Sequence, residues 1–222
     1  MRGSRRLGVF GGTFDPIHVG HLDAAAAVWS ALALDELRFV PLRDPPHRPL
    51  EPQSTAFHRF ALVSLAINDH PGYRICDLEL ERQGPSYTAD TLRALHAEGW
   101  SPSQIFLILG ADAFAEISTW REFPDVLDGA HFAVIGRPGT TLDAALARTP
   151  ALRARVQQDE WGSSGRTGIV LVTAPTRDVS STLIRARLAA RQPITDLVPP
   201  AVARHIVAHH LYGAVSELHE EQ

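Results

Sequence analysis

Short apolar runs alternate with helix-patterned segments along the whole chain, and this alternation restricts the fold more than any other feature. Leu7-Gly8-Val9-Phe10 reads as a strand that ends in Gly11-Gly12. Residues 18–34 read as an Ala-rich helix with Leu22, Ala26, Trp29 and Ala33 on its apolar face, and residues 37–42 as a second buried strand. Strand, glycine turn, helix and strand make a βαβ unit, whose crossover is right-handed. The pattern then predicts a helix over 55–68, a strand over 73–80 and a helix over 88–98. Ile105-Phe106-Leu107-Ile108-Leu109 is a continuous apolar run, as a parallel strand covered on both faces requires. Residues 132–135 and 168–172 look similar, with a helix expected over 142–156 between them, and two helices over 180–190 and 200–209 close the chain. The expected fold is α/β, an open and mostly parallel sheet with helices on both faces.

Size and composition agree with one unit. The chain has 222 residues, 45% of them apolar and 21% charged, enough for a sizeable core and too apolar for general disorder. No internal repeat or heptad run appears, and Pro45-Pro46 and Pro199-Pro200 read as turns or helix starts. A single domain over 1–222 is expected, with a helical C-terminal end at about 180–212. The formal charge of −4 gives no support to bulk nucleic-acid binding. All 21 basic residues are Arg, so neither a Schiff-base lysine nor a Walker-type phosphate lysine is present. Cys76 is the single cysteine, which excludes an internal disulfide and a Cys-rich metal site. No apolar stretch is long enough for a signal-peptide core or a bilayer span, so a reduced, cytoplasmic setting without a membrane partner is expected.

The densest chemical signal is Gly11-Gly12-Thr13-Phe14-Asp15-Pro16-Ile17-His18-Val19-Gly20-His21. Two glycines after a strand let backbone approach a ligand closely, and the following helix start offers unpaired N–H groups to an anion. His18 and His21 are three apart, so both rings can face the same side, with Gly20 keeping the surface between them open. Two imidazoles above a helix N-terminus suit a phosphate chain. No matching acid completes a zincin-like metal site, and the G-x-G-x-x-G dinucleotide fingerprint is absent. In Asp178-Val179-Ser180-Ser181-Thr182-Leu183-Ile184-Arg185, a serine caps a helix whose N–H groups and hydroxyls can face an anion. Arg185, about a turn on, can close over the β and γ phosphates.

The block from Gly8 to His21 resembles the T/HxGH nucleotidyltransferase signature, and within that superfamily it is most similar to the bacterial nicotinate-nucleotide adenylyltransferases. The similarity runs from about residue 7 to 212. It implies a Rossmann-like fold of nucleotidyltransferase type and a reaction that joins the AMP part of ATP to nicotinate mononucleotide, giving deamido-NAD and pyrophosphate in NAD biosynthesis. Val40-Pro41-Leu42-Arg43-Asp44-Pro45-Pro46-His47-Arg48 resembles the family's acceptor-phosphate loop, with Arg48 where Lys is usual. Ser86-Tyr87-Thr88-Ala89-Asp90-Thr91-Leu92 matches a segment whose turn implies a nicotinate carboxylate site, with Thr88 as the expected N-cap and Tyr87 shaping the wall. Trp120 is implied to stack on the nicotinate, with the backbone of Arg121 helping to hold its carboxylate. Arg137 matches a family turn and would add positive potential at the substrate mouth. Asp112, after a buried strand, is read either as a helix cap or as an acceptor from a ribose hydroxyl or a metal-bound water.

The candidate set is therefore His18, His21 and Arg185 for catalysis. Gly11, Gly12, Thr13, Phe14, Asp112, Ser180, Ser181 and Thr182 are the candidates for ATP. Asp15, His47, Arg48, Tyr87, Thr88, Trp120, Arg121 and Arg137 are those for the mononucleotide. Magnesium is expected as the cofactor, held by the phosphates of ATP rather than by a protein cage. His205 and His209 are four apart but lack a third metal ligand in the sequence. A homo-oligomer is left open. The rival readings are transfer to nicotinamide mononucleotide or another phosphorylated acceptor, and a non-catalytic nucleotide-binding module.

Overall fold

In a computed structural model of the chain, residues 5–45, 52–136, 141–157 and 166–214 are described. Six strands form one sheet: β1 Leu7–Gly12, β2 Glu36–Pro41, β3 Tyr73–Ile75, β4 Ile105–Gly110, β5 His131–Gly136 and β6 Ile169–Thr173. Their order is β3-β2-β1-β4-β5-β6 and every pairing is parallel. The helices are α1 Val19–Leu32, α2 Ala56–Ile67, α3 Leu78–Glu81, α4 Thr88–Ala97, α5 Ala111–Ala115, α6 Asp143–Arg148, α7 Ser181–Ala189 and α8 Pro200–Ala208.

Side-chain alternation along the strands produces two cores, one on each face of the sheet. Leu7 and Val9 of β1 join Ile105, Leu107 and Leu109 of β4 in one, which Leu95 of α4, Phe114 of α5 and Leu146 of α6 cover. Phe10 joins Phe39, Phe106 and Ile108 in the other, under Val28 of α1, Leu62 of α2, Ile184 of α7 and Val202 of α8. The runs read as buried strands are thus buried for the expected reason. The sheet reverses its winding between β1 and β4, and ligand crevices of doubly wound sheets lie at the carboxyl ends of the strands beside that switch.

Two expected elements are shorter than their patterns. The strand over 73–80 stops at Ile75, because β3 pairs with β2 alone and the chain turns into α3 after Asp77. Buried Glu79 then faces inward and accepts from Thr91 of α4. The helix over 142–156 breaks at Pro150, which lacks the N–H for a continuing ladder, and resumes as a tighter 3-10 segment, Pro150–Arg155.

Candidate active site

The turn between β1 and α1 is built from both sides. Gly12 is in contact with the folded-back ring of Phe14, and a Cβ on it would lie 2.8 Å from that ring. Phe14 adopts φ 50°, is 2% exposed and packs edge-on against Phe10 and His21. The Phe14 side chain is thus core and packs against His21, and its place at the ATP site stays a proposal. His18 caps α1 in extended backbone, and its backbone N–H donates to Nδ1 of His21 at 3.2 Å. The two rings stack with centroids 3.7 Å apart. With Nδ1 of His21 accepting, the proton of its neutral ring sits on Nε2. Burial pushes His18 down to about 4, against the pull of the nearby Asp23 carboxylate. His18 is thus a neutral imidazole at neutral pH, and its buried Nδ1 has no hydrogen-bond partner among the described residues.

The start of α7 is fastened to this turn. Ser181 Oγ donates to the carbonyl of Pro16 at 2.9 Å, and Nη1 of Arg185 donates to the carbonyl of Asp15 at 2.7 Å. Ser180 caps the helix by accepting from the N–H of Leu183 at 3.1 Å, and exposed Thr182 accepts from Nη2 of Arg185 at 3.3 Å. The Ser181 hydroxyl proton is thus spent on the turn, while Ser180 accepts and keeps its O–H to donate beside the N–H groups of the helix start. Arg177, just upstream, forks onto Asp23 of α1 at 2.8 and 2.7 Å, and that pairing holds the Asp23 carboxyl below its ordinary value. Asp15 is 2% exposed and its carboxylate accepts from the N–H groups of Gln53 at 2.9 Å and Ser54 at 3.2 Å and from Tyr212 Oη at 2.9 Å. The Asp15 carboxylate is thus a structural post, and its contact to the mononucleotide stays a proposal. Burial first, and then the Asp15 charge, pushes the Tyr212 phenol far above its ordinary value.

On its other side the turn opens into a cavity of about 390 Å³ lined by Gly11, Gly12 and Thr13, by Leu42 and Pro45 after β2, and by Tyr87, Thr88, Trp120 and Arg121. Four of the residues expected around the mononucleotide thus meet three of those expected around ATP. Tyr87, not Thr88, is the N-cap residue of α4, and Thr88 is the first helical residue. Arg121 lies over the Tyr87 ring at 4.8 Å and pairs with Asp90 at 3.4 Å. Ser86 Oγ accepts from the N–H of Arg43 at 3.1 Å, which ties this wall to the loop after β2. Exposed Glu116 also lines the cavity, while Asp112 is exposed in the first turn of α5 beside the lining residue Ala113. His47, Arg48 and Arg137 lie outside the described residues.

The ties of Ser86 to Arg43 and of Tyr212 to Asp15 escaped the sequence reading, since these partners are distant in the chain. Away from the site, α8 turns His205 and His209 toward His58 of α2, whose Nδ1 lies 3.2 Å from Nε2 of His205. This supplies the third histidine that the sequence did not show. Even so, among the described residues no three His, Cys, Asp or Glu are grouped to hold a metal ion. No helix of the described residues is long and apolar enough to cross a membrane.

Comparison with known proteins places the chain in a family. Residues 9–187 match the model of the family described as Cytidylyltransferase-like. A protein of Symbiobacterium thermophilum named "Probable nicotinate-nucleotide adenylyltransferase" is 43% identical over 209 residues, 93% of this chain and 95% of the relative. One of the same name in Pseudomonas aeruginosa is 40% identical over 95% of this chain and 98% of its own. A solved structure described as Plasmodium falciparum nicotinic acid mononucleotide adenylyltransferase complexed with NaAD superposes with a TM-score of 0.71 over 94% of this chain and 97% of that one, at 20% identity, and so shares the fold. The chain belongs to the cytidylyltransferase-like family and, within it, to the nicotinate-nucleotide adenylyltransferases.

Proposed function

We propose that the protein transfers the adenylyl group of ATP to nicotinate mononucleotide, giving deamido-NAD and pyrophosphate in NAD biosynthesis. One observation carries the reading: the β1–α1 turn joins the paired imidazoles and the α7 start on one side to the Tyr87–Trp120 cavity on the other. In the reaction an oxygen of the acceptor phosphate bonds to the α-phosphorus of ATP. The bond from that phosphorus to the bridging oxygen breaks, and pyrophosphate leaves with the electron pair. The attacking oxygen is already anionic, so the site must supply alignment and donors for a highly charged transition state rather than a strong base.

In this reading His21 donates from Nε2 to the transferring phosphate, His18 lines the same path, and Gly11 and Gly12 allow the chain to lie against backbone. Arg185 and the N–H groups at the start of α7 hold the leaving pyrophosphate. The first turn of α4 at Thr88 and the backbone of Arg121 receive the nicotinate carboxylate, with Trp120 against the pyridine ring. His47 and Arg48 remain candidates from the sequence for the acceptor phosphate, and Arg137 for positive potential at the substrate mouth. The turn's acid, Asp15, is occupied by three protein donors. Magnesium is accordingly written as part of the nucleotide substrate, bound through its phosphates. The chain is read as one cytoplasmic catalytic domain acting on these small molecules, without nucleic acid or membrane as partners.

Pyrophosphate release across a panel of phosphorylated acceptors tests the assignment. Nicotinate mononucleotide is expected to be the preferred acceptor over nicotinamide mononucleotide. Equal rates with the two would move the acceptor assignment, and nucleotide binding without pyrophosphate release would make the protein a binding module.

A further inference from the structure

We propose that Arg59 is a positioning residue that sets the distance between the ATP and acceptor subsites by bolting three backbone segments together; the proposal rests on the transferase reading above. Arg59 lies on α2 and is 1% exposed. Its guanidinium donates from Nη1 to the carbonyl of Thr13 at 2.7 Å, from Nη2 to the carbonyl of Arg43 at 3.2 Å and from Nε to the carbonyl of Ser54 at 3.3 Å.

Those three carbonyls are not arbitrary. Thr13 belongs to the phosphate turn and lines the cavity, and Arg43 follows Leu42, which lines the cavity beside that turn and donates its N–H to the Gly12 carbonyl at 3.0 Å. Arg43 and Ser54 flank the stretch that carries His47 and Arg48 in the sequence. Arg59 thus holds both feet of the acceptor loop and the floor of the nucleotide site in one planar fork. Asp15 completes the joint from the other direction: it accepts from the N–H groups of Gln53 and Ser54 while Arg59 donates from Nε to the Ser54 carbonyl. Ser54 is therefore fixed through both of its backbone groups, and Tyr212 Oη locks Asp15 itself.

A guanidinium suits this task because it stays charged and presents donors at fixed angles in one plane. A lysine at the same place offers a single ammonium and cannot reach three carbonyls that diverge from one plane. Misplacement of reacting groups by about 1 Å costs on the order of 10²-fold in rate. The joint therefore matters to turnover more than to either substrate's separate binding.

The experiment compares wild type, Arg59→Lys and Tyr212→Phe in three measurements on the full chain. These are kcat and KM by pyrophosphate release, Kd for a non-hydrolysable α,β-methylene ATP analogue alone, and amide hydrogen exchange. For Arg59→Lys, kcat is expected to fall by about 10²-fold while Kd for the analogue moves by less than about threefold, a split that simple loss of folded protein does not produce. Exchange at Gln53 and Ser54 is expected to quicken, with β1 amides unchanged. Tyr212→Phe removes one hydroxyl, keeps the fold if Arg59→Lys does not, and is expected to give a smaller change in the same directions. Turnover that tracks only the folded fraction, or analogue affinity that falls as far as kcat, would overturn the proposal. Wild type inactive on nicotinate mononucleotide would overturn the functional reading instead, and the exchange data would then judge the joint by themselves.

Discussion

In the proposed reaction the donor of the two histidines is His21, through Nε2. The backbone N–H of His18 holds Nδ1 of His21, which directs the remaining proton to Nε2, and stacking at 3.7 Å fixes the ring plane. Removing a preorganised donor of this kind costs on the order of 10²–10³ in kcat. His21→Ala is accordingly expected to lose that much turnover in a pyrophosphate-release assay. Loss of the contact to the cap N–H costs about 1 kcal/mol of stability, which a urea titration would read. Near-normal turnover would remove His21 from the mechanism. Gly20 supports the same pair, since a Cβ there would lie 3.2 Å from Nδ1 of His18 and 3.3 Å from the Arg177 carbonyl. Gly20→Ala gains about 1 kcal/mol of helix propensity and crowds both neighbours. The melting temperature should therefore move little while turnover falls by roughly tenfold, about 1.4 kcal/mol of transition-state alignment. The histidines and glycines were legible in the sequence because their geometry is local. The role of Asp15 was not, because its partners come from Gln53, Ser54 and Tyr212, distant in the chain.

At the scale of elements, α7 matters through how its first turn is held. Ser180 and Ser181 are adjacent but have different duties: the first caps α7 and the second ties it to Pro16. Ser180→Ala should cost about 1 kcal/mol of stability and leave the KM for ATP within about twofold. Ser181→Ala removes a hydrogen bond of about 1 kcal/mol between α7 and the turn, so KM for ATP is expected to rise by about fivefold with less change in stability. Steady-state kinetics beside urea titrations would separate the two, and identical behaviour would refute the division. The sequence disclosed the existence of α7 and its caps, as it did most strands and helices, because apolar period and capping residues are local signals. It overran the strand over 73–80, where pairing with a single neighbour ends the strand early. It overran the helix over 142–156 for a reason that was visible, Pro150, but outweighed by its apolar spacing. The short α3 and α5 fall below the length at which helical periodicity can be read.

At the scale of the whole molecule, stability depends on pH through histidines that the fold keeps neutral. His18, His131 and His205 all titrate below the ordinary histidine value, in each case first because burial disfavours the cation. His205 is lowered further by the neighbouring charges of His209 and His58. The sign of the linkage follows directly. Between the folded and unfolded values the unfolded chain binds more protons, so stability rises with pH across that window and is lost as pH falls below about 6.5. For His18, lowered from 6.5 to about 4, full protonation of the unfolded chain costs about 3 kcal/mol, a large share of the roughly 5–15 kcal/mol that separates folded from unfolded domains. The urea midpoint is therefore expected to be nearly flat above pH 7 and to drop steeply from pH 6.5 toward 4. His18→Asn should flatten that drop while leaving a remainder from His131 and His205. The Asp23 carboxyl, held low first by its hydrogen bond from Arg177, acts in the opposite sense and a different window: its contribution is present above about 3.8 and is lost only below it. Arg177→Ala should thus alter the acid limb below pH 4 and not the limb between 4 and 6.5. A midpoint that ignores pH down to 4, or an acid limb in His18→Asn that overlays wild type, would show that His18 does not resist protonation in the folded chain.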